Sequence, residues 1–477
     1  MSESNLTGSQ RRGLDALLRR LPPVVDELGE LFAARGHELA LVGGPVRDVF
    51  LGRSGNDLDL TTDARPERVL EIVRDWADAV WTIGIDFGTV GLRKDGLQLE
   101  ITTYRSEAYD PESRKPEVMY GDNLEDDLAR RDFAVNAMAV RLPDHTFVDP
   151  HGGLADLAAR VLRTPGPPER SFDDDPLRML RAARFAAQLG FRVHPATFAA
   201  MKDMAGRIEI VSAERIQAEL DKLICGPQPR AGLELLTESG LAEHVLPELP
   251  KLRLEIDEHH RHKDVYEHTL IVLEQAIGLE DDGQCDRVLR WAALLHDIGK
   301  PKTRRHEPGG RVSFHHHEVV GAQLTKKRLT ALKFPKDVVA DVSQLVELHL
   351  RFHGYGTGEW TDSAVRRYVR DAGHLLDRLH KLTRADCTTR NKRKAQALSR
   401  TYDHLEERIS RLAEEEELAK IRPELDGNEI QRILGIPPGP KVGAAYRFLL
   451  EMRLDKGMIG KEAATEALLA WAADQDS

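Results

Sequence analysis

In the stretch NDLDL, residues 56–60, two aspartates stand one residue apart. Alternate side chains on a strand share a face, so Asp57 and Asp59 point the same way while Leu58 and Leu60 turn into a core. Two carboxylates held together repel unless a cation lies between them. Mg2+ suits such a site, because it takes oxygen ligands and lets nucleotide phosphates share its shell. A third acid on a neighbouring strand would complete a two-metal phosphoryl-transfer site with ions about 4 Å apart, one activating a hydroxyl and one holding the leaving phosphate. Glu100, on the polar face of LQLEITTY, is the candidate. Upstream, the Gly43-Gly44 turn leaves room for a triphosphate to approach backbone N–H groups near a helix start, and Arg47, one turn in, adds a cation.

A second stretch, DDDPLRMLRAARF (173–185), packs three aspartates and three arginines into an amphipathic helical period. Asp175 and Arg178 share a helix face at that spacing, as do Asp174 and Arg178. An intrahelical salt bridge on a wet surface accounts for such pairs in an ordinary helix. The same pair can also read a base, because a carboxylate only accepts hydrogen bonds and a guanidinium only donates them. Cytosine and adenine each present an amino donor beside a ring-nitrogen acceptor, which fits. Guanine and uracil present a carbonyl beside an N–H, and would leave both protein groups unpaired. Mismatches of that kind discriminate by up to about 10⁴-fold. Arg181 and Arg184 continue the face toward phosphate or solvent.

Particular elements must hold these groups. HELALVGGPVRDVFLG reads as a short apolar strand, a glycine turn and a helix with Pro45 at its first position. GNDLDLTT alternates as a half-buried strand does, and ADAVWTIGIDFGTVGLRKDGLQLEITTYR reads as two or three more strands between glycine turns. A polar, proline-containing loop follows at residues 108–122. Beyond the turn in DPHGGLADL the period is helical almost throughout, broken at TPGPPERS, CGPQP, HEPGGR and GIPPGPKVG. The expected fold class is α+β: a small N-terminal head with a short sheet, followed by a long helical body.

The length, 477 residues, implies two to four packed units. A formal net charge of −11 argues against a polyanionic partner on average, but residues 381–400 carry seven Lys/Arg against one acid, Asp386, so a basic face on an acidic protein is open. A solvated helix face explains that run equally well. There is neither an apolar run of spanning length nor a signal-peptide core in the sequence, so a cytoplasmic protein without membrane contact is expected. Cys225, Cys285 and Cys387 lie far apart without metal-type pairing, from which three buried thiols are expected.

LVGGPVRDVFLG, NDLDLTTDARPERV, GIDFGTVGL, RRDFAVNAMA, DPLRMLRAARFAAQLGF and SAERIQAELDKLI occur in the order seen in class II tRNA nucleotidyltransferases. These are the bacterial CCA-adding enzymes and their poly(A) polymerase relatives in the polymerase-beta-like superfamily, which the chain resembles over roughly residues 25–225. The resemblance implies that Asp57 and Asp59 hold the metals and that Gly43, Gly44 and Arg47 lie near the triphosphate. It places Arg131, Asp132 and Asn136 near the ribose; helix capping or pairing is the other reading for Asp132. It also makes the Asp/Arg pair a protein template that selects CTP and ATP. Asp174 stands where the family shows Glu, one methylene longer, so the role is carried to Asp175 and Arg178. GIDFGTVGL is similar to the CCA-adding pattern, and the GRRF stretch of the bacterial poly(A) polymerases is not found. Loop 108–122 matches the flexible loop of enzymes that finish with A.

The distal half holds VYEHTL, LLHDIGKP, FHHHEVVGA, LVELHL and TRADCT. Scattered histidines ordinarily cap helices, but here they recur on separate helices around an adjacent His-Asp pair. This resembles the HD phosphohydrolase superfamily over roughly residues 260–390. By that resemblance His268, His296, Asp297 and Asp386 match the ligands of a mononuclear site, and His317 and His349 the extra pair of a binuclear one. Imidazole and carboxylate ligands suit Mn2+, Ni2+, Fe2+ or Zn2+. Lys300 either steadies a phosphate or faces solvent. The implied activity is removal of phosphate or opening of a 2′,3′-cyclic phosphate. The expected layout is a flexible segment 1–22, a nucleotidyltransferase head 23–165, a base-recognition neck 166–227, an HD-type domain 228–390 and a tRNA-contacting tail 391–477. The expected activity is Mg2+-dependent addition of C, C and A to tRNA from CTP and ATP, with no obligate protein partner. Poly(A) polymerase, partial CC or A addition, and an HD hydrolase with a nucleotide-binding head are the alternatives.

Overall fold

The computed structural model describes residues 21–477 apart from 54–56, 107–118, 255–263, 282, 309–311, 355–359, 389–391, 417–421 and 476–477; before residue 21 it describes Gly8, Arg11, Arg12, Leu14, Asp15 and Arg19. Most of the segment 1–22 and of the loop 108–122 therefore lies outside the described residues. Packing divides the chain into two compact units, Met1–Val245 and Leu246–Ser477.

The first unit is built on strands β1 (Leu39–Val42), β2 (Asp57–Thr62), β3 (Ala79–Trp81), β4 (Thr89–Lys94), β5 (Leu97–Thr103), β6 (Arg105–Ser106), β7 (Met119–Tyr120), β8 (Ala139–Leu142) and β9 (Phe147–Val148). Seven of them form one mixed sheet in the order β3-β4-β5-β2-β1-β8-β9, while β6 and β7 pair separately. Within this sheet β2 and β5 pair parallel, and the other neighbouring strands pair antiparallel. The period-2 pattern explains the layering. Leu58, Leu60, Leu99 and Ile101 are buried, and Asp59 and Glu100 between them are exposed.

Short helices set the ends of these strands. Helix α1 (Gly44–Phe50) starts directly after β1, α2 (Leu124–Ala129) is capped by the Asn123 side chain accepting from Asp126 N–H at 2.8 Å, and a 3₁₀ turn spans Ala134–Asn136. Helical segments α3 (Pro168–Asp174), α4 (Leu177–Leu189) and α5 (Ala213–Ile224) follow. The expected continuous helix through DDDPLRMLRAARF is broken. Asp175 is extended, with φ −147 and ψ 98, and α4 begins only after Pro176. Proline clashes with a helical residue before it, so Asp175 leaves the helix although the apolar period runs on.

In the second unit, α6 (Val265–Ile277), α7 (Arg287–Leu295), α8 (His317–Ala331), α9 (Lys336–Leu348) and α10 (Leu376–Asp386) pack around Trp291, Leu294, Val342 and Leu345, all fully buried. Helix α11 (Lys392–Glu416) leads to three C-terminal helices with their own core of Leu425, Ile430, Ala445, Leu449 and Leu468. In the basic run, Lys381 Nζ is engaged by Asp281 and Asp377 at 2.6 and 2.7 Å, and Arg384 by Asp403 and Glu406, both at 2.9 Å. Among the described residues no helix is long and apolar enough to cross a membrane. Cys387 is a free, half-buried thiol.

Candidate active site and metal centre

The strand acids are set by register. Asp57 pairs with Gln98 and Asp59 with Glu100 across the parallel β2–β5 ladder, so Asp59 and Glu100 stand side by side on one exposed face. For Asp57 the description covers the backbone, which places it two residues before Asp59 on the same strand. On the other flank Glu100 pairs with Gly91. A β-carbon at Gly91 would lie 1.9 Å from Trp81 Nε1, so the indole lies over this position and only glycine admits it. Exposed oxygen ligands in register fit a hard, oxygen-preferring cation such as Mg2+.

Two residues further along β2, Thr61 Oγ1 donates to Thr102 O at 3.0 Å and reaches Asp127 Oδ2 at 3.5 Å. The Asp127 side chain is fully buried and gathers Arg130 at 2.8 Å, Arg131 at 3.2 Å and the Arg105 N–H at 3.3 Å. Burial works to raise its pKa, but Arg131 and Arg130 outweigh burial and hold it below the usual carboxylate range. Asp127 escaped the sequence reading, although its spacing to Arg130 and Arg131 (i, i+3 and i+4) signals the pairs.

The glycine turn brings the cations together. Gly43 sits at φ 73, and a β-carbon there would meet Arg131 Nη1 at 3.0 Å, so the absence of a side chain lets the guanidinium approach. Arg47, 8% exposed, donates from Nη1 to Asn136 Oδ1 at 2.7 Å. Asn136 Nδ2 donates to Asp132 Oδ1 at 2.9 Å, and Arg181 donates from Nε to Asp132 Oδ2 at 2.8 Å. Arg181 and Arg184 both face Glu219, at 3.7 and 2.6 Å. Burial would raise the Asp132 carboxyl, yet Arg181 and Asn136 lower it to about 2. Phe185 lies under the guanidinium of Arg184 at 4.1 Å, with Arg47 and Arg181 at 5.3 and 5.6 Å from its ring. Asp132 thus orients Asn136 and Arg181 and also accepts the Phe133 N–H at 2.8 Å, joining the segment 131–136 to α4. Glu219 and Phe185 went unread in the sequence, where each passes for an ordinary helix residue.

Arg178 is held in place by other elements: Nη1 donates to Ser171 Oγ at 2.9 Å, and Nη2 donates to the Arg130 carbonyl at 2.6 Å. Asp175 pairs with Arg215, at 2.8 Å. Asp174 is half-buried; burial raises its carboxyl above the usual range against the pull of Arg178 and Arg170.

In the second unit all six acid and histidine positions converge. Two groups, His268 with His296 and Asp386, and Asp297 with His317 and His349, each keep their ligand atoms within 4.8 Å of one another. Asp297 links them, with Oδ2 at 3.2 Å from His296 Nε2 and Oδ1 at 3.2 Å from His317 Nε2. Nδ1 of His296, His317 and His349 meets the carbonyls of Ala293, Phe314 and Val346 at 2.8, 2.8 and 2.6 Å. A carbonyl only accepts, so each Nδ1 carries a hydrogen and Nε2 is the ring nitrogen turned to the cluster. The Nε2 of His349, a residue 1% exposed, has no hydrogen-bond partner among the described residues. Burial disfavours charge on His296, but Asp297 and Asp386 override it and raise this imidazole to about 10. On His349 burial wins, with His296 adding, and the imidazole falls to about 3. A buried, unpartnered nitrogen beside two carboxylates fits a divalent ion, and four imidazoles favour a transition metal over Mg2+. Lys300 Nζ contacts Asp297 Oδ2 at 2.8 Å, so it is tied to the centre rather than turned to solvent.

Gly299 permits this convergence. A β-carbon there would lie 2.0 Å from His317 O and 2.7 Å from Gly321 N, so α8 approaches only because glycine is small. Gly299→Ala is expected to destabilise the second unit by about 1–3 kcal/mol, the usual cost of overpacking. Because His317 must move with α8, metal affinity should fall as well. Denaturant unfolding and metal titration read the two effects.

Acids in register on two strands and cations gathered at a glycine turn are groups a nucleotidyl transfer can use, and by class the protein is a nucleotidyltransferase. Residues 39–163 match the poly A polymerase head domain, 190–252 the probable RNA and SrmB-binding site of polymerase A, and 265–391 the HD domain. The chain is 40% identical over 338 residues to the A-adding tRNA nucleotidyltransferase of Deinococcus radiodurans, covering 69% of this chain and 75% of that one. It is 30% identical over 440 residues to a CCA-adding enzyme of Streptococcus pyogenes, covering 91% and 94%. The crystal structure of the Bacillus stearothermophilus CCA-adding enzyme in complex with CTP superposes with a TM-score of 0.68 at 25% identity, covering 96% and 99%. The chain belongs to the tRNA nucleotidyltransferase family.

Proposed function

We propose that this enzyme adds C, C and A to the 3′ end of tRNA from CTP and ATP, without a nucleic-acid template. The observation that carries the reading is the in-register pair Asp59 and Glu100 beside the cations gathered at Gly43. Asp57, Asp59 and Glu100 would hold Mg2+. When bound, the ions supply activation of the terminal tRNA hydroxyl and charge stabilisation at the α-phosphate and the departing pyrophosphate. Arg131 and Arg47 face the triphosphate, with Gly43 and Gly44 leaving it room to approach. Asn136, held by Asp132, faces the ribose. Asp175, with Asp174 beside it, accepts from the exocyclic amino group of C or A while Arg178 donates to the ring nitrogen, and Arg181 and Arg184 complete the cationic wall. The neck 166–227 carries this reading of the base, and the tail 391–477 contacts tRNA.

A second reading, addition of A alone, draws on the 40% identity over 338 residues to the A-adding relative. Transcripts ending at the discriminator base and at CC, each incubated with single nucleotides, separate the two. CTP used on the first and ATP on the second supports CCA addition; ATP used on the CC end with no CTP use supports the second reading. Long A tracts on generic RNA would instead mean a poly(A) polymerase. Arg178→Ala is expected to lower the preference for CTP over UTP by at least about tenfold, because a polar mismatch no longer leaves a buried donor unpaired; unchanged preference removes Arg178 from base reading.

We propose further that the six-residue centre in the second unit holds a divalent transition ion and hydrolyses phosphate esters, including 2′,3′-cyclic phosphates at RNA ends. A bound ion would supply an activated water there.

A further inference from the structure

Whatever reads a base must itself be held still. Asp175 lies in the extended link between α3 and α4, where helix packing does not fix its side chain. One oxygen, Oδ1, accepts the local Leu177 N–H at 3.2 Å. The other, Oδ2, accepts Arg215 Nη2 at 2.8 Å, a charge-assisted bond from a different helix. Arg215 stands in the first turn of α5, whose start is set by Ser212 Oγ accepting the Arg215 N–H at 3.4 Å. The neighbouring Asp173 is held in the same manner by Arg207 at 2.7 Å. Arg178 is fixed by Ser171 and the Arg130 carbonyl, so donor and acceptor of the pair have separate anchors.

We infer that Arg215 is a positioning residue for nucleotide choice: it sets the plane of the Asp175 carboxylate and thereby the direction in which an exocyclic amino group is accepted. A carboxylate offers about four acceptor sites, so two remain after the bonds from Leu177 and Arg215. The inference rests on the reading of Asp175 and Arg178 as the base-recognition pair. Arg215 is 52% exposed and Asp175 26%. An ion pair this exposed contributes at most about 1 kcal/mol to stability, so variants at Arg215 fold.

The experiment uses full-length Arg215→Ala, Arg215→Lys and Arg178→Ala. Each is assayed for single-nucleotide addition to defined tRNA ends with CTP, ATP, UTP and GTP separately, and for thermal unfolding. Arg215→Ala is expected to lower the ratio of kcat/KM for CTP to that for UTP by about tenfold, short of the roughly 10⁴-fold of a complete polar mismatch. Arg215→Lys should restore part of that ratio, because an ammonium keeps one charged bond to Oδ2. A proportional loss with all four nucleotides would mean a merely structural role and overturn the inference. A ratio lowered by Arg178→Ala but untouched by Arg215→Ala overturns the inference alone. If neither variant moves the ratio, the base-recognition reading falls and takes the inference with it.

Discussion

Asp59→Ala in the full-length protein is expected to lower kcat/KM for nucleotide addition to tRNA by at least about 10³-fold, the scale on which removal of one group that stabilises transition-state charge is felt. Asp59 stands in register with Glu100 and two residues from Asp57, so in the proposed reaction its loss would leave the remaining acids unable to enclose a cation. Asp59 is exposed, and substitutions at exposed positions shift stability by about 0.5 kcal/mol or less. Thermal unfolding of the variant should therefore match the parent within a few degrees. Glu100→Ala is expected to share the activity loss. Substantial activity in either variant, measured on tRNA lacking its 3′ nucleotides, would remove the strand pair from the reaction.

Asp297→Asn is expected to reduce tightly bound divalent metal in the second unit to less than about a tenth of the parent, since even the partners of metal ligands cost 10–100-fold in affinity when lost. The residue is 1% exposed and faces His296, His317 and Lys300, so the amide keeps the shape and removes the charge. An ion held at a hundred times its dissociation constant stabilises a fold by about 2.7 kcal/mol. A chelator should accordingly lower the Tm of the parent and leave that of Asp297→Asn unchanged. Hydrolysis of 2′,3′-cyclic phosphate should vanish while tRNA nucleotide addition persists. Equal metal content in both proteins, read by elemental analysis, would show that the six side chains do not form a metal centre.

The two sites differ in how much of them was legible beforehand. The strand acids follow from a period of two, which puts Asp57 and Asp59 on one face whatever surrounds them, and the pairing of Asp59 with Glu100 follows once β5 is recognised as β2's neighbour. The histidines and acids of the second unit were legible through residue type and resemblance, although nothing in their spacing says that Nε2 of His349 ends without a partner in a buried pocket. The DDDPLRMLRAARF stretch misled, because its apolar period continues through Pro176 while the backbone does not. Asp175 therefore meets Arg215, forty residues away, instead of a helical neighbour.

The sequence by itself determined the α+β class, the alternation that exposes the strand acids, the glycine turn and the chemical inventory of both centres, because these depend on local backbone periodicity and on residue type. Tertiary structure alone decided which charges meet. The approach of Thr61 to Asp127, the chain from Arg47 through Asn136 and Asp132 to Arg181, the clearance at Gly299, and the hold of Arg215 on Asp175 all join segments apart in the chain. Such contacts are set by how elements pack, and packing geometry has no signature in the local pattern of residues.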